Sequence, residues 1–237
     1  MAGVIINVIT VLLGSSIGLL FKKGIPEKVS QAAMTGLGAC TLYIGISGAF
    51  SGENPLILIA SVVLGAISGT LINIDGAINR FADGLEKRFQ KKGKGVSIAE
   101  GIVSATLLFC VGSMTVTGSI QAGLTGDNSI LITKATLDLV SSMMLASALG
   151  VGVLLAAFPV FVIQGGLVLL AGLIAPLLST GATNEMTCAG SVLIMMIGTN
   201  LMGMTKIKVA DFLPAILFAP LIYQLAPLFE KLYQLFV

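Results

Sequence analysis

Long apolar runs recur along the whole chain, and each is long enough to cross a lipid bilayer as a helix. Backbone N–H and C=O groups must be satisfied inside the bilayer, so such runs favour helices over other structures. Only 10% of the 237 residues are charged, which leaves few positions suited to water. The pattern predicts an all-α polytopic membrane protein with about eight transmembrane helices. These helices are expected at roughly residues 2–21, 29–50, 55–73, 98–118, 129–150, 153–178, 186–204 and 211–227.

The runs are expected to form a single transmembrane domain over residues 1–237. Residues 1–74 hold the first three spans, residues 75–97 form a charged linker, and residues 98–237 hold the remaining spans. Apolar residues in the linker recur at spacings of three and four, with charged residues between them. This pattern predicts an amphipathic helix lying on the cytoplasmic membrane surface.

The basic residues predict the orientation, because cytoplasmic loops are enriched in Lys and Arg. With eight spans and the N- and C-termini outside, eleven of the thirteen basic residues are on the cytoplasmic side. These are Lys22, Lys23, Lys28, Arg80, Lys87, Arg88, Lys91, Lys92, Lys94, Lys206 and Lys208. Seven spans would place Lys206 and Lys208 outside, so eight is the preferred number.

Short segments of the chain repeat. Residues 10–18 align without gaps on residues 61–69, and residues 29–45 align on residues 96–112. A weaker match links the first hairpin to residues 174–198, which run through the membrane in the opposite direction in the predicted topology. The sequence therefore predicts repeated hairpins and an inverted repeat, an arrangement typical of secondary transporters.

Two glycine pairs occupy corresponding positions in the repeat: Gly14 with Gly18, and Gly65 with Gly69. Four-residue spacing places both glycines of a pair on one helix face, which lets a neighbouring backbone approach closely. The neighbour could be a helix of the same chain or, in a homo-oligomer, a second copy.

Lys134 and Asp138 lie inside the fifth apolar run, one helical turn apart, so their side chains share a face and can pair. Charged residues inside a span usually face the protein interior or a wet cavity, and they often mark function. Two interpretations stay open. Asp138 could bind a coupling proton or cation with Lys134 as its counter-charge, or Lys134 could extend outward and neutralise a structural Asp138.

Three stretches predict interrupted helices. The glycine-containing segments 112–118 and 198–203 are expected to end the fourth and seventh spans, while Pro159 followed by Gln164-Gly165-Gly166 is expected to kink or break the sixth. Their polar side chains could bind solute or ion, or could hydrogen-bond across helices as structural supports. The candidates are Ser113, Thr115, Gln164, Thr199 and Asn200.

The sequence contains little that indicates catalysis. It contains no His, its three Cys are isolated in apolar segments, and Gly93-Lys94-Gly95 lacks the context of a phosphate-binding loop. We expect no enzyme activity, cofactor, metal site or nucleic-acid partner. The expected partners are the lipid bilayer and a small solute or ion.

Four segments carry a family resemblance: residues 1–7 (MAGVIIN), residues 118–129 (GSIQAGLTGDNS), the Gln164-Gly165 pair and residues 207–215 (IKVADFLPA). Together they resemble the YqgA/YdfK-like bacterial membrane proteins, a family of unknown function (domain of unknown function 554). The resemblance covers essentially the whole chain. It implies a protein of the bacterial cytoplasmic (inner) membrane, and it implies no particular site residues.

The leading hypothesis is a secondary transporter or ion-coupled carrier of a small solute. Its substrate- or ion-binding residues would be Asp138, Lys134, Asn200, Thr199, Ser113, Thr115 and Gln164. The alternatives are a structural or regulatory membrane component without transport activity, and a channel.

Overall fold

The computed structural model describes residues 1–21, 27–89, 97–176 and 178–236. Its regular elements are helices throughout these ranges. They are α1 (Ala2–Phe21), α2 (Glu27–Ala49), α3 (Pro55–Ile72), α4 (Ile74–Phe89), α5 (Ile98–Cys110), α6 (Ser113–Thr125), α7 (Ser129–Leu149), α8 (Val151–Leu155), α9 (Ala157–Leu169), α10 (Ala171–Ile174), α11 (Thr180–Leu201), a 3-10 turn (Val209–Phe212) and α12 (Ala215–Phe236).

The prediction of an all-α polytopic membrane protein is confirmed. Five helices are long and apolar enough to cross a membrane, and the bent pair α5–α6 brings the number to six. The expected second span corresponds to α2, whose part Met34–Ala49 is apolar but shorter than these five helices. The expected seventh span corresponds to α11, which is long enough but more polar. The predicted number of eight spans is therefore not confirmed.

The helices pack in two groups. In the first group α1 lies along α7, α5 packs against α8, and α6 packs against α9. In the second group α2 lies along α11, and α12 packs against both α3 and α11. Contacts of α2 with α7 and of α11 with α5 join the two groups.

Both glycine pairs lie at these helix contacts. Gly14 and Gly18 of α1 face α7, and Gly65 and Gly69 of α3 face α12 and the 3-10 turn. A Cβ atom added at Gly18 would lie 2.1 Å from the carbonyl oxygen of Met143. The glycine faces are thus covered by helices of the same chain. The homo-oligomer through these faces stays a prediction from the sequence.

The fourth expected span is bent in its middle. α5 ends at Cys110, α6 begins at Ser113, and the two helices meet at 62°. The sequence predicted that segment 112–118 ends this span, but in the structure the span bends there and does not end. The chain changes direction at Val111 and Gly112, and the helix then continues to Thr125. Loss of regular backbone bonding at this break leaves carbonyl groups in need of other partners.

The sixth expected span, Val151–Leu169, is one of the five spanning helices, with a turn at Ala156 between α8 and α9. Pro159 explains this position, because proline has no N–H to bond the carbonyl four residues earlier and its ring crowds that carbonyl. α9 continues through Gln164, Gly165 and Gly166 to Leu169, so these residues do not form the second weak point that was expected.

The connection between α7 and α8 is a single glycine. Gly150 has φ 83° and ψ −151°, a conformation essentially restricted to glycine. α8 is thereby brought back against α5, where Gly101 and Gly152 allow close backbone contact.

The linker between the third and fourth expected spans begins with the amphipathic helix α4, as predicted. It starts at Ile74, directly after Asn73, which adopts φ 57° and ends α3. Residues 90–96 of the linker lie outside the described residues.

Candidate functional site

Lys134 and Asp138 form an ion pair on the buried face of α7. Each residue is only 6% exposed. The Lys134 ammonium lies 5.9 Å from the centre of the Phe109 ring of α5, within the range of a cation–π interaction. Lys134 therefore points into the helix bundle. Its direction differs from the outward one considered above, while the structural and the ion-binding interpretations of the pair both stay predictions.

An amide pair adjoins the ion pair. The Asn7 side-chain N–H of α1 donates to the Gln164 side-chain oxygen of α9 over 3.1 Å, and both residues are fully buried. The Asn7 amide also lies near the Asp138 carboxylate. Three helices thus bring polar side chains to one place inside an apolar bundle.

Two atoms of the amide pair lack partners. Asn7 Oδ1 and Gln164 Nε2 are buried, and neither has a hydrogen bond within the described structure. Buried polar atoms are nearly always bonded, so such orphans call for an explanation, often a bound water or ligand. Asn7 Oδ1 is a hydrogen-bond acceptor, and Gln164 Nε2 is a donor.

The break between α5 and α6 lies beside the same residues. Phe109, which faces Lys134, accepts a hydrogen bond through its carbonyl oxygen from the Thr115 hydroxyl over 2.8 Å. Cys110 is close enough to both Lys134 and Asp138 to interact with them electrostatically. The Ser113 side chain, another predicted site residue, lies outside the described part of the structure.

A cavity of about 180 Å³ opens next to Asp138. Its walls come from α2, α5 and α7, so it lies where the two helix groups meet. Its polar contributors besides Asp138 are Cys40, Thr41 and Ser141, and the rest of its lining is apolar. Of the ion pair and the amide pair, Asp138 is the residue that lines this cavity. We call Asn7, Lys134, Asp138 and Gln164 the central polar site.

The structure places two predicted site residues elsewhere. Asn200, at the end of α11, donates to the Ile207 carbonyl over 2.8 Å and accepts from the Ile207 N–H and the Thr205 hydroxyl. Thr199 also bonds Thr205, over 2.8 Å. Both side chains therefore support the turn after α11, and neither is among the residues that line the cavity beside Asp138.

Asn200 instead lines a second cavity of about 460 Å³, between α4, the start of α5 and the turn after α11. This cavity carries charges of both signs, from Asp75, Glu100, Lys206 and Lys208. Lys206 and Lys208 are exposed, so this cavity is at an end of the bundle.

Two further buried carboxylates hold loops in place. Glu185 of α11 accepts from the backbone N–H groups of Glu53 and Asn54, over 2.8 and 2.9 Å. Asp211 accepts from the Asp75 N–H over 2.9 Å. Asp211 lies just before α12, but its carboxylate bonds the start of α4 rather than the start of α12. In the described residues, no group of three or more Cys, Asp or Glu side chains could hold a metal ion.

Asn7 is the site residue that the sequence reasoning missed. The available signal was an amide side chain in the otherwise apolar or hydroxyl-bearing first run. An amide is costly to bury without partners, and that cost makes such a residue informative.

Comparisons with known proteins identify the family. The chain is 33% identical over 226 residues to "Uncharacterized membrane protein YdfK" of Bacillus subtilis (strain 168), covering 94% of this chain and 95% of that protein. It is 30% identical over 220 residues to "Uncharacterized protein YqgA" of Escherichia coli (strain K12), covering 92% and 94%. No solved structure gives a significant match. The family model described as "Protein of unknown function (DUF554)" matches residues 2–224, and the chain therefore belongs to the DUF554 family of membrane proteins.

Proposed function

We propose that this protein is a secondary transporter that couples a small solute to a proton or cation across the bacterial cytoplasmic membrane. The observation that carries the proposal is the buried Lys134–Asp138 pair with two unpaired amide atoms beside it, on Asn7 and Gln164. Asp138 would bind the coupling ion, and Lys134 would be its counter-charge.

The cost of buried charge supports a functional role. A single charge at the bilayer centre costs roughly 2.5–3.5 kcal/mol on insertion scales. A buried ion pair is also often no more stable than apolar residues of the same volume. Stability alone therefore gives little reason to keep Lys134 and Asp138 at this depth, whereas an ion-binding role requires them.

The break between α5 and α6 supports the same proposal. Irregular backbone at membrane depth is tolerated where it is covered by protein or lines a wet cavity. Transporters use such breaks to expose backbone groups to solutes and ions. The α5–α6 break adjoins Lys134 through Phe109, so here the break and the charges occur together.

The packing of the loops supports the proposed orientation, with both termini outside. The N-terminal Gly3 backbone N–H donates to the Asn128 side chain, so the N-terminus and the α6–α7 loop share one end of the bundle. α4 and the turn that carries Lys206 and Lys208 both line the cavity of about 460 Å³. The positive-inside rule places that basic end in the cytoplasm. The inverted repeat stays a prediction from the sequence.

A thermal-stability screen of purified protein tests the proposal. A ligand that binds only the folded state raises stability with the logarithm of its concentration over Kd. We expect that at least one cation, one change of pH or one class of metabolite raises the melting temperature of the wild type. The same condition should not raise the melting temperature of Asp138→Asn.

Asp127→Asn is the matched control. Asp127 is an exposed carboxylate in the α6–α7 loop, and the Ser129 backbone N–H holds its pKa below the ordinary value. This variant removes one negative charge outside the central polar site and should respond like the wild type. If no condition stabilises the wild type, or if Asp138→Asn responds equally, the protein is better described as a scaffold.

A further inference from the structure

We infer that the cavity of about 460 Å³ between α4, α5 and the turn after α11 binds the head group of a zwitterionic aminophospholipid, such as phosphatidylethanolamine. Lys206 and Lys208 would contact the phosphate, and Asp75 and Glu100 would contact the ammonium group. All four residues line the cavity. In the described structure its lining includes no residue of the central polar site, so the inference goes beyond the proposed transport function.

The cavity lies where three membrane spans begin or end. Asp75 follows the span Pro55–Ile72. Glu100 is in the first turn of α5, and Lys208 directly precedes the span Val209–Ala226. The amphipathic helix α4, which is suited to a membrane surface, forms one wall. The charged lining is therefore at the level of the lipid head groups, which flank the hydrocarbon core.

The charged side chains around the cavity have both signs and do not pair with each other. Lys206 and Lys208 are exposed, and Asp75 and Glu100 are half-buried. Within the described residues, none of the four forms an ion pair. Two positive and two negative side chains leave this lining neutral overall. It therefore complements a ligand that is also neutral overall but carries two separated charges.

Hydrogen bonds hold both sides of the cavity in place. On the acidic side, the Asp75 N–H donates to the Asp211 carboxylate, and the Asn79 side chain donates to the Asp75 carboxylate, each over 2.9 Å. On the basic side, Asn200 bonds both the N–H and the carbonyl group of Ile207, which lies between the two lysines. Because the backbone that carries these charges is already fixed, less order has to be gained when a ligand binds.

The chemistry of the lining selects among lipid head groups. A phosphate accepts hydrogen bonds from lysine ammonium groups, and a primary ammonium group donates to carboxylates. Phosphatidylethanolamine has both groups. Phosphatidylglycerol has no cation for the carboxylates, and the trimethylammonium group of phosphatidylcholine has no N–H to donate. A purely basic pocket would instead favour anionic lipids.

The volume of the cavity allows such a ligand. About 460 Å³ lies within the roughly 300–1,000 Å³ of small-molecule pockets. The same zwitterion also occurs in a soluble molecule, glycerophosphoethanolamine, which has the head group without acyl chains. The position of the cavity at the ends of the spans favours the lipid as its source.

Native mass spectrometry of the full-length purified protein in detergent tests the inference. Phosphatidylethanolamine, phosphatidylglycerol and phosphatidylcholine with identical short acyl chains are titrated separately, and the Kd of the first bound lipid is measured. We expect phosphatidylethanolamine to bind about tenfold more tightly than the other two, because each of them loses a hydrogen bond between charged groups. Glycerophosphoethanolamine at high concentration should compete with the bound phosphatidylethanolamine.

Charge-removing variants test the assigned contacts. Glu100→Gln should weaken phosphatidylethanolamine binding about tenfold. Lys208→Gln should weaken it about threefold, because solvent-exposed charge pairs contribute less. Glu100→Gln should also reduce the preference for phosphatidylethanolamine over phosphatidylglycerol, because its lining carries a net positive charge. The lipid preference of the wild type remains a complete test if either variant fails to fold.

Two matched controls remove one exposed charge of each sign outside the cavity lining. Arg80→Gln changes the surface of α4, and Asp127→Asn changes the α6–α7 loop. Both should bind phosphatidylethanolamine like the wild type. Weaker binding in Arg80→Gln equal to that in Lys208→Gln would mean that general attraction to the membrane surface, and not the cavity, holds the lipid.

Several other outcomes would overturn the inference. They are equal affinity for the three lipids, a preference for phosphatidylglycerol or phosphatidylcholine, and unchanged lipid preference in folded Glu100→Gln. Failure of glycerophosphoethanolamine to compete would mean that the acyl chains alone are recognised. Binding of glycerophosphoethanolamine without binding of phosphatidylethanolamine would mean that a free solute occupies the cavity.

The test is separate from that of the transport function. Asp138 does not line this cavity, so Asp138→Asn should bind phosphatidylethanolamine with the Kd of the wild type. Failure of the lipid assignment would leave the Asp138-dependent response to ions, pH or metabolites as the test of transport. Loss of that response would leave the lipid assignment standing.

Discussion

The Asn7 side chain donates a hydrogen bond to Gln164 over 3.1 Å, although the two residues are 157 positions apart in the sequence. The bond joins α1 to α9 at the level of the Lys134–Asp138 pair, because the Asn7 amide also interacts with Asp138. The amide pair thus lies beside the carboxylate and keeps one donor and one acceptor unused. These two unpaired atoms are the feature that supports the proposed binding role.

A double-mutant cycle should detect the coupling between Asn7 and Gln164. We expect Asn7→Ala, Gln164→Ala and the double variant to give a coupling free energy of about 0.6–1.7 kcal/mol, the range of hydrogen bonds between membrane helices. Unfolding in detergent, followed by circular dichroism, measures it. Additive single effects would mean that the amides do not interact in the folded protein.

The glycine contacts predict a sharp difference between two alanine substitutions. A Cβ atom at Gly69 would lie 1.8 Å from the Asp211 carbonyl oxygen, so Gly69→Ala should lower stability by about 1–3 kcal/mol or abolish folding. Gly36 of α2 is exposed and has no atom within 4 Å of such a Cβ. Gly36→Ala should therefore be neutral, or stabilising by up to about 1 kcal/mol through helix propensity. Equal effects on the melting temperature would contradict the packing of α3.

Asn200 is expected to be structural. Asn200→Ala removes the partners of the Ile207 N–H and carbonyl groups, so we expect a loss of about 1–3 kcal/mol in unfolding free energy. The stabilising response to ligands should persist, since the central polar site is intact. A variant with normal stability and no ligand response would place Asn200 in the binding site, as the sequence suggested.

Glu185 should hold the α2–α3 loop closed. Glu185→Ala leaves the backbone N–H groups of Glu53 and Asn54 without their acceptor, and hydrogen bonds to charged groups contribute about 1.5–3 kcal/mol. Hydrogen–deuterium exchange at residues 53 and 54 should become faster, while Glu185→Gln, which retains an acceptor oxygen, should show a smaller change. Glu53→Gln is the control, because its exposed side chain is not the acceptor. Unchanged exchange in Glu185→Ala would mean that the loop is held by other contacts.

The parts of the structure that follow from local sequence were predictable. The apolar runs predicted helices, and the four-residue spacing of Lys134 and Asp138 predicted their pairing, because both depend on neighbours within one helix. The glycine pairs likewise predicted close helix contacts. Sequence spacing does not say which helix lies opposite, so the choice between an intramolecular neighbour and a second copy required the structure.

The remaining parts depend on tertiary contacts. Asn7 meets Gln164 and Asp138 only after α1, α7 and α9 have packed, and an isolated Asn does not reveal its partners. Asn200 is a related case. An amide next to glycines can either bind a ligand or support a turn, and the sequence does not show its bonds to Ile207. The bend at Val111 and Gly112 lies at the start of segment 112–118, where the sequence predicted an interruption but not its exact position.

Transport by the reconstituted protein tests the central claim most directly. A solute that stabilises the purified wild type would be added to proteoliposomes, and its uptake would be measured with and without a gradient of the coupling ion. We expect gradient-driven uptake with the wild type and with Asp127→Asn, and loss of the gradient dependence with folded Asp138→Asn. Uptake by folded Asp138→Asn with the same dependence on the gradient would contradict the role assigned to Asp138.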